Sequence, residues 1–182
     1  MLELRIHGRG GQGVVTLAEL LAQAVLKTGQ EVQTLPFFGV ERRGAAVKAA
    51  LRLDSQPILV RSLSYRPNMI VLLNENLLSL ALSEGAAEDV FFAANARSPL
   101  PVNAAQWLVD ATGVAVQNQL IFAGEPFINV PMLGALCRIL DVPEPAMESA
   151  IREQWEEKTA RPNLAAAGQA YHSVIKIQGG AA

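Results

Sequence analysis

The chain has almost no cysteine, few aromatic side chains and no marked excess of either charge. Cys137 is the single cysteine among 182 residues. That excludes an internal disulfide, and any zinc or iron–sulfur site ligated only by cysteines of this chain. Aromatic residues make up 5% of a sequence that is 51% hydrophobic. The core must therefore be built from Leu, Val, Ile and Ala. A formal net charge of −2 and a pI near 5.7 give no general attraction to nucleic acid or to an anionic membrane. No apolar run approaches the roughly 18–20 residues that span a bilayer. Glu3, Arg5 and Arg9 break up the first ten residues, where a signal peptide would need a basic start and an apolar run. A cytoplasmic protein is expected. Chemical signatures are scarce too: there is no G-x-S-x-G nucleophile elbow and no Gly-Asp-Gly thiamine motif.

What is present suits a single domain over residues 1–182. A mean hydropathy of +0.24 is high for a soluble monomer. Partner subunits covering apolar surface would explain it, as would a parallel sheet buried on both faces. Leu2, Leu4 and Ile6 alternate with Glu3 and Arg5 and lead through His7 into GRGGQG, which reads as a first strand. Residues 14–28 carry Val14, Leu17, Leu20, Leu21, Ala24 and Val25 at the spacing of one helical face, and Gly29 stops them. Further strands are expected at 31–36, 47–53, 68–73, 90–94 and 106–109, with a short helix at 77–82. Helices follow at 132–140, 145–157 and 163–177, so that residues from about 143 to 177 form a helical C-terminal part. Strands alternating with helices predict an α/β fold, a three-layer α/β/α domain with a mostly parallel sheet.

The densest signal is Gly8-Arg9-Gly10-Gly11-Gln12-Gly13, placed between strand and helix in Rossmann-like fashion. Glycines permit tight turning and close backbone approach, and the helix start offers free N–H groups and a positive dipole end. The spacing also satisfies G-x-G-x-x-G, which points first to a stand-alone NAD- or flavin-dependent oxidoreductase. A dinucleotide fold, however, places a carboxylate at the end of the second strand to hold the ribose hydroxyls. Val32 through Pro36 contain none. A different phosphate-bearing ligand fits better. The loop is no P-loop either, because no Gly-Lys-Ser/Thr follows.

A second loop, Phe37–Ala45, sets Arg42 and Arg43 side by side between glycines. It should emerge at the same carboxyl edge of the sheet, and guanidinium forks suit phosphate. A solvated charged turn paired to Glu41 is the plainer reading, which the successive Phe37 and Phe38 weaken. His7 reads as a hydrogen-bonded structural residue, His172 as a surface residue and Cys137 as a small core hydrophobe. Glu148, Glu153, Glu156 and Glu157 read as a solvated helix face. No catalytic residue and no metal ligand set is assigned.

GRGGQG followed by a Leu/Ala-rich helix, then FFGVERRGAAVKA some two dozen residues later, then Pro57-Ile58, resembles the gamma subunit of pyruvate and related 2-oxoacid:ferredoxin oxidoreductases. Asp110 and the segment NVPMLGAL (129–136) resemble later blocks of that family. The resemblance implies an accessory subunit of a heteromeric enzyme that oxidatively decarboxylates a 2-oxoacid to an acyl-CoA. Thiamine diphosphate and iron–sulfur clusters would sit in partner alpha, beta and ferredoxin-like delta subunits, with ferredoxin as acceptor. This chain would contribute to a shared coenzyme A site and to assembly. The resemblance maps Gly8, Arg9, Gly10, Gly11, Gln12 and Gly13 onto the phosphate-facing loop, and Arg42, Arg43 and Asn129 onto the phosphate or pantetheine path. The family's basic residue before that Asn is missing, since the sequence there reads Gly124-Glu125-Pro126-Phe127-Ile128. The FGVERRGA loop looks closer to pyruvate or branched-chain members than to 2-oxoglutarate ones. A purely structural interaction subunit is the remaining alternative.

Overall fold

The computed structural model describes residues 1–36, 44–62 and 66–179. The chain opens with β1 (Leu2–Arg9), α1 (Val14–Leu26), β2 (Glu31–Pro36), β3 (Ala46–Asp54) and β4 (Met69–Leu72). A 3₁₀ turn at Glu75–Leu77 leads into α2 (Leu78–Ser83), then β5 (Phe91–Asn95), β6 (Gln106–Val109) and α3 (Ala111–Gln117). A small hairpin of β7 (Ile121–Phe122) and β8 (Glu125–Pro126) follows. Then come α4 (Asn129–Ile139), α5 (Glu144–Gln154), α6 (Glu157–His172) and β9 (Ile175–Ile177).

Seven strands form one sheet in the order β2-β3-β1-β4-β5-β6-β9. β1, β4, β5 and β6 pair in parallel. β3 lies antiparallel to both β1 and β2, so β2 runs in the same direction as β1. β9 closes the far edge antiparallel to β6. Five of the seven strands thus share a direction, as the alternation of strands and helices leads one to expect.

Alternation along the strands explains the layers. Leu4, Ile6, Leu51, Met69 and Val71 meet α1 and α4–α6 on one face in the larger core cluster. Ile70, Leu72, Phe92 and Leu108 meet Leu77, Leu78 and Ala81 on the other. Helices on both faces of a largely parallel sheet make a three-layer sandwich, filled mainly by aliphatic side chains with Phe92 among them.

On the α2 face β1 carries polar residues, and they are buried. Arg5 is 2% exposed, and its Nη2 donates to the carbonyls of Ala81 (2.9 Å) and Gly85 (2.8 Å) at the end of α2. Its Nε donates to His7 Nε2 at 2.9 Å. Next to it, Arg52 on β3 donates to Glu3 Oε1 (2.7 Å) and Gln33 Oε1 (2.9 Å), linking three strands. Burial and the neighbouring Arg5 push the His7 imidazole down from 6.5 to about 4, so it is neutral at physiological pH. His7 is thus structural, in agreement with its placement in the sequence.

Two expectations need correction. The last helix runs over Glu157–His172, not 163–177, and carries Pro162 inside it. The segment that follows is a strand: Ser173 ends the helix, and Ile175–Ile177 pair with Gln106–Leu108. Val174, Ile175 and Ile177 are β-branched, and the otherwise open edge of β6 gives them backbone partners. The other difference lies between 111 and 126, where α3 and the hairpin form without any expected periodicity. α3 is held by Asp110, whose Oδ1 accepts from the Gly113 N–H at 2.8 Å, an N-cap that does not depend on an apolar stripe.

Candidate phosphate-binding cleft

β1 ends at Arg9 and the chain turns within three residues. The Gln12 N–H donates to the Arg9 carbonyl at 3.0 Å, and Gln12 Oε1 accepts from the Arg9 N–H at 2.7 Å. Gln12 therefore closes the turn with side chain and backbone together. Gly11 (φ 97°) and Gly13 (φ 73°) occupy the left-handed region, where glycine alone is unstrained. Gly8 is needed for a different reason: a Cβ there would stand 2.5 Å from Val14 Cγ2, so glycine lets α1 begin close against β1. Gly13 is the N-cap of α1 and no side chain caps that end. The N–H groups of the first helical turn remain available to an anion, with the positive end of the helix dipole behind them.

The topology puts this loop where ligands bind in open α/β sheets. The connection from β1 through α1 leads to one side of the sheet, and that from β4 through α2 leads to the other. The carboxyl ends of β1 and β4 therefore flank the point where strand order reverses. A cleft of about 670 Å3 opens there, a size that holds a cofactor-sized ligand. Arg9, Gly10, Gly11 and Gln12 line one side, with Asn74 after β4 and Thr112 at the start of α3. Phe122, Ala123, Glu125 and Pro126 of the hairpin line it too, with Ile128 just before α4. Among the described lining residues Arg9 is the cation and Glu125 the anion.

Four of the loop residues expected at this site, Arg9 through Gln12, face the cleft. Gly8, Gly13 and Asn129 lie beneath it. Asn129 begins α4, and a Cβ on Gly13 would stand 2.8 Å from its Nδ2, so the two helix starts abut. Asn129 is fully buried, and neither Nδ2 nor Oδ1 has a hydrogen-bond partner. Leaving such an amide unpaired costs about 1–3 kcal/mol. The orphaned amide packs directly against the glycine loop, at Gly13.

The far end of the second loop reaches the first. The Gly10 N–H donates to the Ala45 carbonyl (2.8 Å), the Gly44 N–H donates to the Gly10 carbonyl (3.2 Å), and Arg9 Nη1 donates to the Gly44 carbonyl (3.1 Å). The two motifs thus meet at Gly44–Ala45, while Arg42 and Arg43 themselves lie outside the described residues. A polar recess of about 450 Å3 adjoins the cleft, sharing Gln12, Asn74 and Thr112 with it and extending to Asn95 and Arg97. Arg97 is already paired to Asp110 Oδ2 at 2.8 Å, and Asn95 Oδ1 accepts from the Thr112 N–H at 3.1 Å.

Sequence reasoning missed Asn74, Thr112 and the hairpin wall. The hairpin left one faint signal, a glycine between two short apolar pairs at 121–127. His7 lies on the α2 side, away from the cleft. Cys137 is buried, with its thiol pushed well up by desolvation. His172 is exposed, but its Nε2 stands 3.0 Å from Glu144 Oε1, an acidic neighbour not expected from the sequence. Among the described residues no helix is long and apolar enough to cross a membrane.

Comparison with known proteins agrees with this geometry. The pyruvate synthase subunit PorC of Methanothermobacter marburgensis is 40% identical over 177 residues, covering 96% of this chain and 98% of that one. The common gamma subunit of the pyruvate/ketoisovalerate oxidoreductases of Thermococcus kodakarensis is 36% identical over 187 residues, covering 96% and 98%. The crystal structure of the pyruvate oxidoreductase subunit PORC from Thermotoga maritima superposes with a TM-score of 0.82 at 31% identity, covering 97% and 98%. A 2-oxoglutarate:ferredoxin oxidoreductase from Magnetococcus marinus shares the fold at 17% identity and a TM-score of 0.78, over 94% of this chain and 30% of that one. The family model described as pyruvate ferredoxin/flavodoxin oxidoreductase matches residues 3–173. The chain belongs to the pyruvate ferredoxin/flavodoxin oxidoreductase family.

Proposed function

We propose that this chain is the gamma-type subunit of a heteromeric cytoplasmic 2-oxoacid:ferredoxin oxidoreductase, and that its glycine-loop cleft holds phosphates of coenzyme A. The enzyme as a whole would decarboxylate a 2-oxoacid on thiamine diphosphate and pass electrons through iron–sulfur clusters to ferredoxin. Those groups would reside in alpha, beta and ferredoxin-like delta partners. Coenzyme A would be the cosubstrate to which this chain contributes.

One observation carries the reading: an uncapped helix start behind two left-handed glycines, at the switch point of the sheet, opening into a cleft with Arg9 on its wall. Arg9 would supply charge-assisted hydrogen bonds to phosphate, with Gln12 holding the turn in shape. Asn129 would position the loop from below. The topology also speaks against the stand-alone NAD reading. In a dinucleotide fold the second strand lies beside the first, whereas here β3 lies between β1 and β2. A ribose-binding carboxylate on β2 would be one strand too far away. Exposed apolar residues such as Leu59, Val116 and Ile175 supply surface for assembly with partners.

Arg9→Ala in the assembled complex should raise KM for coenzyme A on the order of tenfold and leave KM for the 2-oxoacid unchanged. An unaltered KM for coenzyme A would overturn the assignment. Purification of tagged chain from native extract should bring down a thiamine-containing partner.

A further inference from the structure

Deepening the coenzyme A reading, on which this inference rests, we propose that the β7–β8 hairpin is the adenine subsite of the cleft, with Phe122 stacking on the base and Glu125 accepting from its exocyclic amine. The two sides of the cleft differ in chemistry. Toward Asn74 and Thr112 it is polar and runs on into the recess reaching Asn95. Toward the hairpin it is apolar but for Glu125, with Phe122, Ala123, Pro126 and Ile128 in the lining. With phosphates fixed at the glycine loop, the planar base belongs at the hairpin, where the exposed Phe122 ring offers a stacking face and Glu125 is the one charged group beside it. The amides and hydroxyl of the pantetheine arm belong on the polar side.

The hairpin is built to present a ring. Ala123 (φ 51°) and Gly124 (φ 83°) both occupy the left-handed region, which gives the tight turn of a two-residue hairpin. Alanine is disfavoured there, so the surrounding structure holds the turn in place. Phe122 and Glu125 are cross-strand partners, and directly opposed residues project from the same face. Phe122 is 66% exposed, with the Phe127 ring 5.8 Å from its own at 51°. In a chain with only six phenylalanines, two meet at this one wall. A base stacked on Phe122 would cover exposed apolar surface at a sequence-tolerant π-face. Glu125 then needs no role beside phosphate, where its charge would repel. It instead takes the one strong donor that adenine offers.

The test compares coenzyme A with 4′-phosphopantetheine, which lacks the nucleotide, as acyl acceptors for the whole complex. Phe122→Ala should raise KM for coenzyme A on the order of tenfold, leave KM for 4′-phosphopantetheine unchanged, and be rescued by Phe122→Tyr. Glu125→Ala should lose discrimination between coenzyme A and its hypoxanthine analogue. An equal penalty on both acceptors, or none, overturns the adenine subsite. So does a variant that assembles poorly but shows normal KM once assembled, because the hairpin would then be a subunit contact. Arg9→Ala run alongside separates the two levels. A raised KM for coenzyme A in that variant keeps the cleft assignment even where the hairpin fails, and no change in it overturns both.

Discussion

Asn129 shows how one buried side chain links fold to function. Its amide fills the space a side chain at Gly13 would need, and it does so without a single hydrogen bond. If the amide serves only the liganded state, the free subunit gains nothing from it. Asn129→Leu, nearly the same shape, should leave the free subunit as stable or raise its stability by up to about 1 kcal/mol. The same change in the complex should weaken coenzyme A. Thermal unfolding of the isolated chain checks the first, and a clear drop in Tm would show that the amide has a partner within the chain. At this scale the sequence was informative, because left-handed turns and close approaches select glycine almost regardless of context. The GRGGQG loop was legible for that reason. Asn129 entered through family resemblance alone, since nothing local marks a residue whose neighbour is more than a hundred positions away. Thr112 and Asn74 left no signal either, because their place in the cleft is set by the sheet order and not by adjacent residues.

At the scale of elements, the junction of β1 with α2 rests on Arg5 and His7. Arg5 satisfies carbonyls at the end of α2 and needs a neutral imidazole beside it. The folded His7 has its pKa lowered from 6.5 to about 4, so between those values the unfolded chain binds the extra proton. Stability should therefore be full above about pH 6.5 and fall as pH drops toward 4, by on the order of 3 kcal/mol. His7→Gln, which keeps an acceptor for Arg5 but does not titrate, should flatten that slope in urea unfolding between pH 4 and 7. An unchanged slope would locate the acid sensitivity elsewhere. Strand and helix positions were read well where the apolar pattern was strong, as in the periodicity of β1 and α1 and the unbroken apolar run of β4. The reading failed at β9, because three residues cannot display a period. It failed at α3 and the hairpin too, where an Asp cap and a tight turn replace amphipathic pattern.

For the whole molecule, the sheet needs both edges managed. β9 covers β6, and Lys176 Nζ lies 4.9 Å from the centroid of the Trp107 ring. Truncation after Ser173 should open the β6 edge, lower Tm and raise light scattering on concentration. A truncated chain as soluble and heat-stable as the parent would show that β9 is dispensable. The other consequence of topology is functional. Because β3 inserts between β1 and β2, the crossover from β1 spans an extra strand, and the glycine loop faces β4 and the hairpin instead of a ribose-binding carboxylate.

The sequence by itself determined the layered α/β architecture, the mainly aliphatic core and the glycine turn between β1 and α1. These follow from local alternation, residue volume and backbone conformational freedom, which are properties of neighbours along the chain. Only the tertiary structure decided that Gly10 is tied to Ala45, that Asn129 sits orphaned against Gly13, and that an aromatic hairpin lines the same cleft as Arg9. Those relations depend on strand order and on which helix starts converge at one sheet edge. Contacts between positions more than a hundred residues apart are set by the packing of the whole core, and no short stretch of sequence encodes them.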